Sequence, residues 1–346
     1  MDFPGYVSLT VTNACDLRCR MCGQWSERGY MHHSATRPRS ALTVGDWKRL
    51  VDEAASGGIG MILIRGGEPF LLPGIVELVD HIAAKGIFTS IDSNGTQLAD
   101  VADDLVRVGR VHVTVSVDGT EPTHDAIRGV PGCFRKIAHG IAVLKEAERR
   151  RGKTLSKSIT FTISPWSYRD LGAMPEVARS LGIEQLCIVP YYYMPEALGR
   201  AYERELAEEL GCPAFSWRGF CHETSGVDFA VFREQLRAYR AALRGLGDYP
   251  YLPLSEEEYR VWFEDPVALV GSAECPNCER LIDVQPNGEA NCCVDFPDYS
   301  FGSVREASLA ELYNSERAHK FRKRRRRRPF SACHRCGAKY MAVVRE

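Results

Sequence analysis

Three cysteines fall within eight residues near the N-terminus, as Cys15-x3-Cys19-x2-Cys22. Thiolates this close on one stretch of chain can wrap a compact iron–sulfur cluster, for which cysteine is the standard ligand. A four-iron cube takes four ligands, so three cysteines leave one iron open, and an open coordination position marks a catalytic site rather than a structural one. A zinc ion completed by His32 or His33 is the competing arrangement. Six more cysteines, at 275, 278, 292, 293, 333 and 336, lie in the last quarter of the chain. Taken alone, Cys275-x2-Cys278 with Cys333-x2-Cys336 has the form of a zinc ribbon. The other four of the thirteen cysteines (133, 187, 212 and 221) are scattered between the two groups without ligand-like spacing. The pattern is two metal sites joined by a scaffold.

The scaffold must be folded, since 45% of the 346 residues are hydrophobic and 26% charged, the balance of a globular protein. Lys plus Arg is 44 and Asp plus Glu 45, so no global field exists to hold nucleic acid or an anionic membrane. No run of eighteen apolar residues occurs, and Asp2 and Asn13 to Asp16 interrupt any signal peptide. These features predict a cytoplasmic protein, where thiols stay reduced and metal binding is a better use of cysteine than disulfides.

Short apolar and β-branched runs alternate with amphipathic stretches. Strands are predicted at 6–12, 61–64, 87–91, 111–117, 158–163 and 185–189, with helices at 43–56, 73–85, 97–108, 134–150 and 171–181. Thr43 is a plausible N-cap with Asp46 at the third helical position. Repeated βα alternation with right-handed crossovers predicts an α/β fold: a partial (β/α)6 TIM-like barrel over residues 1–190. Polar residues follow the strand ends, at Thr12-Asn13, Gly66-Gly67-Glu68, Ser93-Asn94-Gly95 and Asp118-Gly119, on the rim where such barrels build chemistry. Residues 191–270 lose the period and read as a linker or lid over the barrel mouth. Residues 271–346 form a compact extension, a β-hairpin turning at Asn287-Gly288 followed by a helix over 309–328.

With the triad after the first strand and Arg65-Gly66-Gly67-Glu68-Pro69 after the second, residues 6–190 resemble a radical S-adenosylmethionine (SAM) enzyme. The resemblance implies that SAM chelates the open iron of the Cys15, Cys19 and Cys22 cluster. An electron from the cluster then cleaves SAM to methionine and a 5′-deoxyadenosyl radical. It assigns Gly66, Gly67 and Glu68 to the methionine amino group and Ser116 and Arg128 to the carboxylate and ribose side. Asn94 and the backbone near Ile188 are further candidates for the SAM pocket. Met21 stands where the family often has an aromatic residue. An external electron donor such as flavodoxin or ferredoxin is implied.

Cys275-x12-Gly288-x4-Cys293 with the later Cys333-x2-Cys336 is similar to the SPASM/twitch extensions of this family. That similarity implies Cys275, Cys293, Cys333 and Cys336 as ligands of one auxiliary [4Fe–4S] cluster, with Cys278 and Cys292 spare or able to replace a neighbour. Similarity to twitch-type dehydrogenases of aminoglycoside biosynthesis implies oxidation of a small carbohydrate or aminocyclitol in antibiotic biosynthesis. Epimerisation, decarboxylation and peptide modification are the rival reactions. The fourteen residues before Cys15 leave no room for the peptide-binding domain that peptide-modifying relatives often carry. A non-catalytic zinc-binding interaction protein is the reading from another class.

Other signals are discounted. The run Arg322-Lys-Arg-Arg-Arg-Arg-Arg328 is read as a solvated helix face, without aromatic residues for stacking on bases, although it could lessen the field of an anionic cluster nearby. Cys187 is read as a buried small hydrophobe. Cys221, within Trp217 to Glu223 over the barrel mouth, is a candidate hydrogen-atom donor to a substrate radical.

Overall fold

The computed structural model describes residues 2–33, 40–250 and 252–338. The first six strands are β1 (Tyr6–Thr10), β2 (Met61–Arg65), β3 (Phe88–Ser93), β4 (Val111–Ser116), β5 (Ser156–Ile163) and β6 (Gln185–Pro190). They pair in sequence order and all in parallel. The first five are each followed by helix that packs outside the sheet, so the six form an open arc of the partial-barrel type. The helix after β6, Glu196–Glu205, packs toward the C-terminal cysteines. Thr43 caps the first helix, Val44–Ser56, reciprocally: its hydroxyl accepts the Asp46 amide, 3.2 Å, and its own amide donates to the Asp46 carboxylate, 2.8 Å.

Along these strands the side chains alternate with a period of two. Val113 and Val115, Ile159 and Phe161, Leu186 and Ile188 turn outward and are buried in the main core under the helices. Their neighbours His112, Thr114 and Ser116, Thr160 and Thr162, and Cys187 turn inward and line a cavity. Parallel strands covered on both sides are usually apolar throughout. Here the inner face is polar, and the barrel interior is a site rather than packing.

The C-terminal extension does not form a separate layer. Its first strand, β8 (Leu281–Val284), runs parallel to β1, with Val7 opposite Ile282 and Leu9 opposite Val284. β9 (Glu289–Asn291) and β10 (Gly302–Ser303) follow antiparallel. On the far edge, β7 (Gly247–Asp248) adds to β6, giving ten strands in the order β10-β9-β8-β1-β2-β3-β4-β5-β6-β7. Gly288, at φ 91°, supplies the left-handed conformation in the predicted hairpin turn.

Two expectations are corrected. The helix expected over 309–328 is broken into Leu309–Tyr313 and Glu316–Arg327, because the Ser315 hydroxyl accepts the Ala318 amide, 3.1 Å, and starts a new helix. The stretch 191–270 is more than a lid. The helix Phe229–Ala242 packs on the turn Tyr168–Ala173, and Phe232 meets Tyr259 at a tilt and Phe263 edge-on. The short turn Ser216–Phe220 reaches the mouth, where Phe220 packs against Gly23, and Tyr192 lines it as well. No helix among the described residues is long and apolar enough to cross a membrane.

Candidate functional site

The loop after β1 carries Cys15, Cys19 and Cys22 and is fastened from three sides. The amides of Gly67 and Glu68 donate to the carbonyls of Thr12 and Ala14, each 2.7 Å. Asn94 and Thr96, in the loop after β3, donate to the two carboxylate oxygens of Asp16 at 2.8 and 2.7 Å. The amides of Arg18 and Arg20 donate to the carbonyls of Arg128 and Ile127, at the end of the helix Glu121–Arg128. Together these bonds hold a segment that has no regular structure of its own.

The three thiols form one group and raise one another's pKa. Burial is the larger cause, pushing Cys15 up to about 11 and Cys22 to about 12 and raising Cys19 as well. Buried neutral thiols at this density gain nothing as a structural core, whereas a bound metal displaces their protons. The donor set therefore fits a cluster. Arg128 Nη1 lies 3.6 Å from Cys19 Sγ, a charge-assisted donor suited to a metal-bound thiolate.

The glycine motif is positioned by contact. A Cβ on Gly66 would lie 2.6 Å from the Thr12 carbonyl oxygen, and one on Gly67 2.2 Å from that of Ala14. Both glycines face the cavity. Glu68 does not. Its buried carboxylate accepts from Phe70 N, 3.0 Å, Ser93 Oγ, 2.9 Å, and Asn94 N, 2.6 Å, and burial lifts its pKa to about 7 against those three donors. The expected bond from Glu68 to an amino group of SAM is thus replaced by bonds that tie the β2 and β3 loops together. Asn94 likewise faces Asp16 rather than the cavity.

Arg128 is also turned away. Its guanidinium pairs with the buried Asp118 and reaches Cys19, so it neither lines the cavity nor pairs with Asp125 at the surface. Asp125 instead accepts from the Phe134 amide, 2.9 Å. Ile188 points into the outer core, and its neighbours Cys187 and Val189 line the cavity; strand alternation puts the site one residue to either side. Ser116 does line it. Cys221 lies outside the lining, because the chain leaves the Ser216–Phe220 turn extended, bridged to Met194, with Phe220 facing in.

The cavity holds about 600 Å³ and runs from Cys15, Cys22 and Trp25 down the inside of the barrel to His112, Ser156 and Tyr249. Hydroxyl groups of Ser90, Thr114, Ser116, Thr160 and Thr162 share its wall with Met61, Phe88, Cys187 and Val189, and Tyr30, Tyr192 and Phe220 stand at the mouth. Arg65 spans the upper wall, 3.7 Å from Asp92 and 3.3 Å from Asp295. At the floor, the His112 ring nitrogens contact Ser156 Oγ, 2.7 Å, and Ser158 Oγ, 2.9 Å, and the latter accepts from Tyr249 Oη, 3.0 Å. Of these inward residues only Ser116 was expected from the sequence. Their signal is present there: Val-His-Val-Thr-Val-Ser at 111–116 places a polar residue at every second position of a strand expected to be apolar.

The C-terminal cysteines converge beside the cavity. Burial raises the thiol pKa of Cys275, Cys333 and Cys336, Cys333 to about 11, and the nearby Cys293 adds to each. Cys278 and Cys292 sit deeper and hydrogen-bond to each other. Two walls join this group to the cavity. Asp295 follows Cys293 by two residues and lines it, and Gly337 packs on the ring of Tyr192.

Comparison with known proteins agrees with this geometry. Residues 9–174 match the radical SAM superfamily model, and residues 275–337 match SPASM, an iron–sulfur cluster-binding domain. Among curated proteins, the AdoMet-dependent heme synthase of Methanosarcina barkeri is 30% identical over 181 residues, 52% of this chain and 48% of that protein. The Fe-coproporphyrin III synthase of the same organism is 29% identical over 312 residues, 88% of this chain and 72% of that protein. The chain thus spans about half the first relative's length. The solved structure of Streptococcus suis SuiB superposes with a TM-score of 0.64 at 16% identity, covering 93% of this chain and 68% of that one, and shows the shared fold. The chain therefore carries a radical SAM domain and a SPASM domain, with SAM and two [4Fe–4S] clusters as its cofactors.

Proposed function

We propose that this enzyme oxidises a small hydroxylated substrate, of the carbohydrate or aminocyclitol class, by net removal of two hydrogens. The observation that carries the reading is the cavity wall: neutral hydroxyl side chains on three adjacent strands, β3 to β5, with aromatic rings at the mouth. Such a wall exchanges hydrogen bonds with a polyol and offers ring faces to its C–H groups. In this reading Cys15, Cys19 and Cys22 hold the first cluster, and Cys275, Cys293, Cys333 and Cys336 the second. SAM bound at the first supplies a primary carbon radical able to take hydrogen from an unactivated C–H bond. The backbone of Gly66 and Gly67 and the Ser116 hydroxyl hold SAM. Trp25, Tyr30 and Phe220 exclude water from the space beside it. Four protein ligands leave the second cluster without an open iron, so electron storage is the chemistry its cysteines allow. That role suits an oxidation in a biosynthetic pathway such as antibiotic formation, in a cytoplasm that supplies a flavodoxin- or ferredoxin-type reductant.

An iron-porphyrin substrate is the second reading, favoured by the similarity to Fe-coproporphyrin III synthase over most of both chains. Anaerobic incubation of the reconstituted enzyme with SAM, a reductant and panels of sugars, aminocyclitols and iron-porphyrins separates the two. The expected result is 5′-deoxyadenosine together with a polyol product lighter by two hydrogens. A product that keeps the substrate's hydrogen count but has one hydrogen replaced by deuterium from deuterated water would indicate epimerisation instead. Turnover of porphyrins alone would overturn the proposal.

A further inference from the structure

The basic run of the helix Glu316–Arg327 does not face solvent uniformly. Ala318, Phe321, Arg322 and Arg325 are buried on one face, at helical spacing i, i+3, i+4 and i+7. Arg324 and Arg326 turn outward to Glu209 and Glu279. Of the two buried arginines, Arg322 is occupied by backbone: Nε donates to the Cys278 carbonyl, 3.0 Å, and Nη1 to that of Tyr313, 2.6 Å.

Arg325 differs. Nη1 donates to the Ala273 carbonyl, 2.5 Å, two residues before Cys275, while Nε and Nη2 are buried without a hydrogen-bond partner. The charged form is favoured by the cysteines around it, Cys333 first, then Cys275 and Cys278. No carboxylate pairs with Arg325 among the described residues. The nearest acidic group acting on these cysteines is Asp295, beside Cys336, and it is itself paired with Arg65. At the first cluster loop the arrangement is the reverse: Arg128 also reaches a cysteine, but Asp118 cancels its charge.

We infer that Arg325 is a positioning residue for electron flow: its uncancelled buried charge raises the reduction potential of the SPASM cluster above that of the SAM cluster. A cluster held by four thiolates is anionic and becomes more so on taking up one electron. A fixed cation in a low-dielectric site stabilises the reduced form more than the oxidised one. No bond is made or broken; the electron comes from the reductant in the test and from the substrate in the proposed reaction. The inference rests on the reading of Cys275, Cys293, Cys333 and Cys336 as ligands of the second cluster.

The test is a potentiometric titration of the reconstituted full-length enzyme with dithionite and mediators, followed by electron paramagnetic resonance. Added SAM perturbs the signal of the cluster with an open iron and so assigns the two. Arg325→Gln should shift the reduced-to-oxidised ratio of the second cluster at least about tenfold toward oxidised at a given potential, about 59 mV for one electron. Arg325→Lys should restore most of it, and the first cluster should not move. A second-cluster midpoint unchanged in Arg325→Gln, or shifted equally in Arg325→Lys, would overturn the inference. Should Arg325→Gln fail to load iron, Asp118→Asn decides. By uncancelling Arg128 it should raise the first cluster's midpoint, and an unchanged midpoint there overturns the charge argument. Zinc in place of iron at the second site of the unmodified enzyme would instead refute the ligand reading beneath it.

Discussion

The amide of Gly67 donates to the carbonyl of Thr12 at 2.7 Å, lacing the loop after the second strand onto the loop that bears the cysteine triad. The contact leaves no room for a side chain, since a Cβ on Gly67 would lie 2.2 Å from the Ala14 carbonyl oxygen. Gly67→Ala should therefore displace the triad without unfolding the barrel. Iron content should fall by about half, from two cubes toward one, with an unchanged far-ultraviolet circular dichroism spectrum. Full iron loading in that variant would show that the contact does not position the loop.

Glu68 makes stability depend on pH. Its folded pKa of about 7 exceeds the ordinary 4.5 because burial penalises the charge, so the folded state holds the proton more tightly than the unfolded one. The stabilisation is present in full below the unfolded value and is lost as pH rises through about 7, a difference of about 3 kcal/mol from this group alone. Urea midpoints between about pH 5 and about pH 8 should fall in the parent protein more than in Glu68→Gln. Equal slopes would refute the assignment.

Replacing Cys15, Cys19 and Cys22 together with Ala should abolish 5′-deoxyadenosine formation and leave about half of the iron. Cys293→Ala or Cys336→Ala should do the converse: 5′-deoxyadenosine still forms, and oxidised product is lost. A triple variant that still cleaves SAM would contradict the division of labour between the two cysteine groups.

Arg128→Ala should act on stability more than on SAM affinity, because the guanidinium pairs with buried Asp118 outside the cavity. Removing one partner of a buried pair costs about 3–5 kcal/mol, readable as a lowered denaturant midpoint. A loss of SAM affinity at unchanged midpoint would return Arg128 to the cofactor.

Cys221→Ala should leave product identity and solvent-deuterium content unchanged, since this thiol stands outside the cavity wall. Loss of deuterium incorporation in that variant would show the opposite.

Local spacing alone determined the cluster loop, the parallel α/β scaffold and the hairpin turn of the extension. Ligand spacing within a loop, helix caps and strand periods are set by residues a few positions apart, and Thr43 with Asp46 or Asn287 with Gly288 carry their geometry in the sequence. The direction each side chain faces was legible only in part. His112, Thr114 and Ser116 announce a polar inner face by alternation, whereas at Ile188 the side chain enters the outer core and its neighbours Cys187 and Val189 line the cavity. Relationships across hundreds of residues belonged to the tertiary structure alone: β8 beside β1, Glu68 bonded to Ser93 and Asn94, and Arg325 buried beside the C-terminal cysteines. Such pairings depend on which faces are buried together. A buried polar group takes whatever partner the packed neighbours present, and no local pattern names that partner in advance.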